Sequence, residues 1–183
     1  MTKSSYTMFD ALNPFFDIVL QGLTGLVDGK HFFDAIADDA RFDFRYDFPG
    51  WPRTIRGRAE LMNVFSGYGK SIQLHSADGL VVHRSRGRRV IILEYDVHGT
   101  ILATGGPYDN RFCSIITIEN RKVVHWTDYM DSLAAWTALN GKAPAQPGTG
   151  RPAIYPPAPR HTPEGDGGLP APQNPSQPDD LSS

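Results

Sequence analysis

The sequence predicts an α+β domain in which three helices pack on one curved, mostly antiparallel sheet and enclose a pocket. Two observations predict this fold class. Apolar residues recur at helical spacing early in the chain, whereas later segments alternate apolar and polar residues with the period of two typical of strands. Turn signals rich in Gly, Pro and Asn separate the later segments, which favours consecutive antiparallel hairpins after the helices.

The predicted helices are marked by their ends. The first has Asn13 as its N-cap and Pro14 at the first helical position, and it ends near Gly25. Further helices are predicted over residues 31–37, 58–68 and 131–139. Strands are predicted over residues 41–48, 72–83, 89–102, 108–119 and 122–129.

Composition divides the chain into a folded domain, residues 8–139, and a tail, residues 140–183. Eleven of the 15 prolines lie in the tail, which has few large apolar residues. Such a segment cannot bury enough apolar surface to offset the entropy lost on ordering. The tail is therefore expected to be extended or disordered.

Charge and cysteine content limit the partners. The formal net charge is −2, which gives no basic surface for nucleic acid. Cys113 is the single cysteine, so neither an intramolecular disulfide nor a cysteine-rich zinc site is expected. The N-terminal residues lack a signal-peptide pattern, and no apolar run approaches the ~20 residues of a membrane span. The expected location is the cytoplasm, with no membrane partner.

Several segments resemble known families. DGKHFFDAIADDARF is similar to the helix and first strand of nuclear-transport-factor-2-like folds. IRGRAEL, EYDVHG, YDNRF and KVVHWTDYMD resemble phenazine-biosynthesis A/B proteins, and the last segment also resembles the closing strand of limonene epoxide hydrolases. The wider relatives are SnoaL-like cyclases and ketosteroid isomerases. The resemblance covers about residues 10–139 and implies a cone-shaped, cystatin-like fold, but it leaves the substrate open because this scaffold hosts unrelated chemistries.

Assembly is a further expectation from the resemblance. Cone folds of this kind associate through the open face of the sheet. An exposed sheet face carrying Ile115 or Val123 would be costly in a monomer. We therefore expect a homodimer or a small homo-oligomer.

Asp128 is the first candidate for chemistry. In a strand of period two it shares a face with Val124 and Trp126 and should point into the cone. Burial there penalises the ionised carboxylate and raises its pKa towards the range that a general acid or base needs. The resemblance implies the same role, because an acid at this place is catalytic in the phenazine and epoxide hydrolase families. The alternative is a carboxylate that caps the following helix near Ser132.

A polar triplet on one strand offers a second group. Glu94, Asp96 and His98 share one face. They either line the pocket opposite Asp128 or lie on the solvent side, with the other face packed beneath a helix. Limonene epoxide hydrolases pair two acids with an arginine. Asp96 matches the second acid, but Glu94 stands at the arginine position, which weakens the epoxide-opening interpretation. The segment EYDVHG is more similar to the phenazine proteins and favours that branch.

Four aromatic or amide residues are candidates for binding substrate. Tyr46 faces inward with the apolar side of its strand, and Trp51 lies in a PGWP turn suited to a pocket lid. Asn110 could donate to a carbonyl or enolate oxygen, or tie strands together. Trp126 shares the face of Asp128. The histidines lack metal-ligand spacing, so neither a metal site nor a cofactor is expected.

The sequence therefore predicts an acid–base enzyme, acting without a cofactor on a small, partly apolar metabolite. Isomerisation, dehydration, cyclisation and condensation all fit, with secondary metabolism as the implied setting. Asp128 is the predicted proton carrier, and Asp96 and His98 tune it or relay its proton. Two alternatives stay open: a non-catalytic small-molecule-binding protein of the same fold, and an epoxide hydrolase-like enzyme.

Overall fold

The computed structural model describes residues 6–87 and 89–141. In this part of the chain three α-helices pack on a curved, unclosed sheet of six strands, which confirms the predicted fold class. The helices are α1 (Asn13–Gly22), α2 (Arg58–Tyr68) and α3 (Ser132–Asn140). The strands are β1 (Ile36–Phe44), β2 (Thr54–Arg56), β3 (Ile72–Arg84), β4 (Val90–Ile101), β5 (Pro107–Glu119) and β6 (Lys122–Met130). The predicted tail lies outside the described residues from residue 142 onwards.

The sheet order is β2-β1-β6-β5-β4-β3. Strands β3 to β6 form three consecutive antiparallel pairs, whereas β1 pairs in parallel with β6. The sheet is therefore mixed, and β6 is an interior strand between β1 and β5. None of the helices in the described ranges is long and apolar enough to cross a membrane.

The N-terminal elements differ from the prediction. A 3-10 helix over Thr7–Leu12 precedes α1, so Asn13 lies inside the helical run instead of capping it. The helix predicted over residues 31–37 is a single 3-10 turn, Phe32–Ala35. The His31 side chain accepts from the Phe33 N–H, and Asp34 accepts from the His31 N–H. This capping box closes only one turn, and the chain then extends directly into β1.

The buried core lies between the helices and the concave face of the sheet. Aromatic rings dominate it, and Phe16 of α1 stacks on Phe32 with ring centroids 4.9 Å apart. Gly22 allows α1 to approach β4 closely, because a Cβ there would lie 2.6 Å from a Leu93 methyl carbon. Helix α1 thus packs directly on the inward face of β4 at Leu93.

A β-bulge in β6 decides which of its side chains point inward. Thr117 of β5 pairs with His125, but Ile118 pairs with Val123, which leaves Val124 as an extra residue. Val123 is consequently buried, and the predicted exposure of Val123 is wrong. The predicted common face of Val124, Trp126 and Asp128 is also wrong at Val124, because the bulge shifts the alternation by one residue.

Gly99 provides a test of the β3–β4 packing. A Cβ at this position would lie 2.4 Å from the Gln73 carbonyl oxygen, which belongs to rigid backbone. Gly99→Ala is therefore expected to lower the free energy of unfolding by about 1–3 kcal/mol in urea titrations. Gly67→Ala is the matched control, because its Cβ would meet nothing within 4 Å and Ala favours the helix. Equal stability of the two variants would contradict the close approach of β3 to β4 at Gly99.

Candidate active site

A cavity of about 490 Å³ lies between the helices, the loop that follows β1, and the concave face of the sheet. This volume falls in the range of about 300–1,000 Å³ typical of small-molecule sites. Its walls are mostly aromatic and aliphatic, and none of the side chains that line it from residues 6–87 and 89–141 is charged. The lining residues are Leu12, Phe15, Phe44, Tyr46, Phe48, Pro49, Gly50, Trp51, Pro52, Asn63, Val64, Phe65, Gly67, Tyr68, Ser71, Ile72, Leu74, Val97, Tyr108, Phe112, Met130, Ala135 and Leu139.

Asp128 is buried on the inward face of β6, with 6% of its surface exposed. Its Oδ1 accepts from the Ser114 hydroxyl at 2.7 Å and from the Trp126 indole N–H at 3.1 Å. The Ser114 oxygen lies 3.1 Å from the Tyr95 hydroxyl. Because Ser114 donates its own proton to Asp128, the Tyr95 hydroxyl is the donor to Ser114. Side chains of β4, β5 and β6 are therefore linked by hydrogen bonds that end at one carboxylate oxygen.

Burial raises the pKa of Asp128 from its ordinary value of 3.8 to about 6. The hydrogen bonds from Ser114 and Trp126 oppose this shift, since they stabilise the ionised form, but desolvation is the larger effect. A carboxyl with this pKa exchanges its proton readily near neutrality, as a general acid or base must.

The helix-capping alternative for Asp128 is wrong. Asp131 is the N-cap of α3, and its carboxylate accepts from the Ala134 N–H at 3.0 Å. Asp128 lies in β6, and among the described residues its carboxylate accepts hydrogen bonds only from Ser114 and Trp126. Its burial therefore needs another explanation than the start of the helix.

Three tyrosines lie within the electrostatic reach of Asp128. Burial raises the pKa of Tyr46, Tyr95 and Tyr108, and the negative charge of Asp128 raises it further in each case. These hydroxyls consequently remain protonated hydrogen-bond donors at neutral pH. Tyr46 and Tyr108 line the cavity, whereas Asp128 lies beneath the lining.

Tyr108 belongs to a hydroxyl pair that crosses the cavity wall. Its oxygen accepts from the Tyr68 hydroxyl at 2.8 Å and from the Asn110 amide at 3.1 Å. Tyr68 was missed by sequence reasoning, because it closes α2 without any motif and only the fold brings it to β5. Its place on the helix could have been inferred from the pattern of α2, but its partner could not.

Asn110 does not line the cavity. Its Oδ1 accepts from the backbone N–H groups of Arg111, at 2.8 Å, and Asp131, at 3.1 Å. Its amide nitrogen reaches Tyr108 and the Met130 sulfur. The predicted contact between Asn110 and substrate is therefore wrong, and the alternative, an amide that ties strands together, describes what it does.

Of the other predicted binding residues, some line the cavity and one contacts Asp128 from outside the cavity lining. Tyr46 and Trp51 line the cavity from the loop between β1 and β2. The indole nitrogen of Trp51 is buried and has no hydrogen-bond partner among the described residues. The indole lies near enough to Tyr46 to lower the pKa of its hydroxyl, but burial raises that pKa by more. Trp126 supports Asp128 and is not a wall residue. Substrate binding by these residues stays a prediction.

The polar triplet of β4 lies on the opposite face of the sheet. Leu93, Tyr95 and Val97 take the buried positions of this strand. Because alternate side chains point to opposite faces, Glu94, Asp96 and His98 point away from the cavity. The prediction that the triplet shares a pocket with Asp128, binding substrate or relaying its proton, is therefore wrong.

The outward residues of β4 have partners of their own. Glu94 bonds to His83 at 2.8 Å. His98 lies 2.7 Å from Asp109 and 3.5 Å from Asp78, and the bond to Asp109 is the main cause that raises the pKa of His98. Within residues 6–87 and 89–141, no group of three or more His, Cys, Asp or Glu side chains is arranged to hold a metal ion.

Comparison with known proteins places this geometry in a family. The sequence model of the SnoaL-like domain matches residues 24–126. The uncharacterised protein YesE of Bacillus subtilis (strain 168) is 30% identical over 114 residues, which cover 62% of this chain and 78% of that protein.

Solved structures give the same result for the fold. The crystal structure of a proposed isomerase from Bacillus subtilis is 26% identical, with a TM-score of 0.59, and the match covers 77% of this chain and 98% of that one. A phenazine biosynthesis-related protein from Pseudomonas aeruginosa is 18% identical with a TM-score of 0.55, covering 83% and 94% of the two chains. The second likeness shows a shared fold, and the resemblance predicted from the sequence is confirmed.

The raised pKa of Asp128 predicts a pH-dependent stability. Below about pH 4 the carboxyl is protonated in the folded and unfolded states, so it imposes no penalty. Between the unfolded pKa of 3.8 and the folded pKa of about 6, the unfolded chain is ionised while the folded state keeps its proton. Stability should therefore fall with rising pH and level off above that pKa, by on the order of 3 kcal/mol for the shift from 3.8 to about 6.

Asp128→Asn isolates this effect, because Asn retains an acceptor for Ser114 and Trp126 but does not titrate. The difference in the free energy of unfolding, variant minus wild type, should increase between about pH 4 and about pH 8 when measured by denaturant titration. Other titrating groups contribute equally to both proteins. A difference that stays constant with pH would show that Asp128 has an ordinary pKa.

Proposed function

Since the chain belongs to the SnoaL-like family, we propose that it is an acid–base enzyme that moves a proton on a small, partly apolar metabolite, as an isomerase, lyase or cyclase does. The observation that carries the proposal is the Asp128 carboxyl, buried beneath an aromatic cavity with a pKa of about 6. The likeness to a proposed isomerase at 26% identity supports isomerisation among these reactions.

The proposed roles follow from the bonds that each group already makes. Ser114 and Trp126 hold Oδ1 of Asp128, which leaves Oδ2 without a hydrogen bond from any described residue. Oδ2 is the oxygen that would take a proton from a carbon beside a carbonyl and return it to another atom of the substrate. The hydroxyls of Tyr46 and Tyr108 would face the negative charge that forms on the carbonyl oxygen. Apolar walls would strengthen both interactions by excluding water.

A binding protein of the same fold is the second candidate. It is favoured by one observation, since Asp128 lies beneath the lining of the cavity and not in it. The epoxide hydrolase-like alternative loses its support, because Asp96, the predicted second acid, points to the opposite face of the sheet.

Deuterium exchange tests proton transfer without knowledge of the natural substrate. Small cyclic ketones such as 1-tetralone are incubated with the protein in heavy water, and exchange beside the carbonyl is followed by NMR. The wild type should accelerate exchange, and Asp128→Asn should lose about 10²- to 10⁴-fold of that rate, which is the usual value of general acid–base catalysis. Asp96→Asn is the matched control on the opposite face and should exchange like the wild type.

Two outcomes would contradict the proposal. Undiminished exchange in Asp128→Asn would remove Asp128 from the mechanism. Ketone binding without accelerated exchange in the wild type would favour the binding protein.

We also propose that the outer face of the sheet joins two copies of the chain. Ile92 of β4 pairs with Ile115 of β5, and Thr127 of β6 lies beside Ile115, so half-buried apolar side chains adjoin across this face. A second copy would remove them from water.

Light scattering at micromolar concentration should give twice the chain mass of 20.2 kDa for the wild type. Ile115→Lys should shift the mass to that of a single chain, because a charge at the centre of the contact is costly to bury. Leu102→Lys changes an exposed apolar residue outside this face and should leave the dimer intact. A wild-type monomer would refute the assembly.

A further inference from the structure

The Tyr68–Tyr108 pair holds more hydroxyl protons than it uses. The two oxygens lie 2.8 Å apart and share one hydrogen bond, in which Tyr68 donates and Tyr108 accepts. Each tyrosine carries one proton, so the pair retains a second one. No described residue offers an acceptor to it at hydrogen-bonding distance from Tyr108, and both tyrosines line the cavity.

The Asn110 amide donates to the second lone pair of the Tyr108 hydroxyl oxygen. Two backbone N–H groups donate to the Asn110 Oδ1, which identifies the other end of the amide as its nitrogen. That nitrogen donates to the Tyr108 oxygen at 3.1 Å. Tyr108 therefore accepts from Tyr68 and Asn110 together, and its own O–H can act only as a donor. Two incoming bonds polarise this O–H and make it a stronger donor.

Tyr108 is 1% exposed, so its free donor is held in an apolar environment where an unmade hydrogen bond is costly. The cavity that Tyr108 lines also has aromatic walls, among them Phe15, Phe44 and Phe112. Among the described residues no lining side chain is charged, so none of them offers a cation to a carboxylate or phosphate ligand. The negative charge of Asp128 nearby disfavours anionic ligands further.

We propose that Tyr108, polarised by Tyr68 and Asn110, donates a hydrogen bond to the single acceptor oxygen of a neutral, ring-sized, otherwise apolar ligand, a ketone or its enol. The identification of this oxygen with the reacting carbonyl rests on the proposed function, whereas the binding claim stands without it. Tyr68 and Asn110 act as positioning residues, because they contact the ligand only through Tyr108.

Two compounds of nearly the same shape provide the test: 1-tetralone, which has a carbonyl, and tetralin, which has none. The wild type should bind the ketone more tightly than the hydrocarbon, and the carbonyl stretch of bound 1-tetralone should move to lower frequency in infrared spectra. Tyr108→Phe should weaken 1-tetralone by roughly three- to tenfold, the usual value of one neutral hydrogen bond, and leave tetralin unchanged.

Tyr68 could replace the lost donor in that variant, so the double change of Tyr68 and Tyr108 to Phe removes both protons. The preference for the ketone and the shift of its carbonyl band should then disappear. Tyr68→Phe alone should retain most of the preference, since Tyr108 keeps its own O–H. Tyr129→Phe is the control and should leave the ketone preference unchanged, because Tyr129 is an exposed tyrosine that does not line the cavity.

Equal weakening of the two compounds, absence of a carbonyl shift in the wild type, or binding of neither compound would overturn the inference. If Tyr108→Phe does not fold, the wild-type infrared shift and the Tyr68→Phe variant decide. Asp128→Asn separates this inference from the proposed function, because it should retain the ketone preference while losing exchange. A wild type that prefers the ketone but does not accelerate exchange would support the binding site and refute the enzyme.

Discussion

The structure depends on a carboxyl placed where water cannot fully solvate it. Asp128 has two donors, Ser114 and Trp126, and both bind the same oxygen. Two hydrogen bonds are too few to offset the desolvation of a charge, so the acid retains its proton up to a pH of about 6. The negative charge of Asp128 also raises the pKa of Tyr46, Tyr95 and Tyr108, so the same carboxyl affects the tyrosines around it.

The tyrosines and the acid divide the polar groups into two connected sets. Tyr95, Ser114 and Trp126 hold the carboxyl from within the sheet, whereas Tyr68 and Asn110 hold Tyr108 from a helix and a strand. Among the described residues each set leaves one group without a hydrogen-bond partner: Oδ2 of Asp128 in the first and the hydroxyl proton of Tyr108 in the second. In the proposed function, the open acceptor beneath the cavity lining and the open donor within it would be complementary to a ligand that carries an acidic C–H and a carbonyl.

Sequence patterns predicted most of the fold because each pattern had a local cause. Both ends of α2 were predicted, and β3 to β6 were placed within about one or two residues, since turn residues separate them. The face of β4 was not predicted, because alternation shows which residues lie together but not which side is covered. Burial of Asp128 was predicted from its alternation with Trp126 along one strand, whereas the partnership of Tyr68 with Tyr108 depends on how α2 lies over the sheet.

The bulge at Val124 determines which face of the sheet Asp128 points to, because it adds one residue to β6. Val123, before the bulge, and Trp126 and Asp128, after it, all point to the buried face. In a regular strand, Val123 would point to the opposite face from Trp126 and Asp128. If one residue were deleted here, the strand could keep its buried face only on one side of the deletion, either before it or after it. Either Val123 would turn to the outer face, or Asp128 would leave the interior and Tyr129 would take its side. Insertions and deletions in this strand are therefore constrained more tightly than substitutions, and Val124 matters for its presence more than for its side chain.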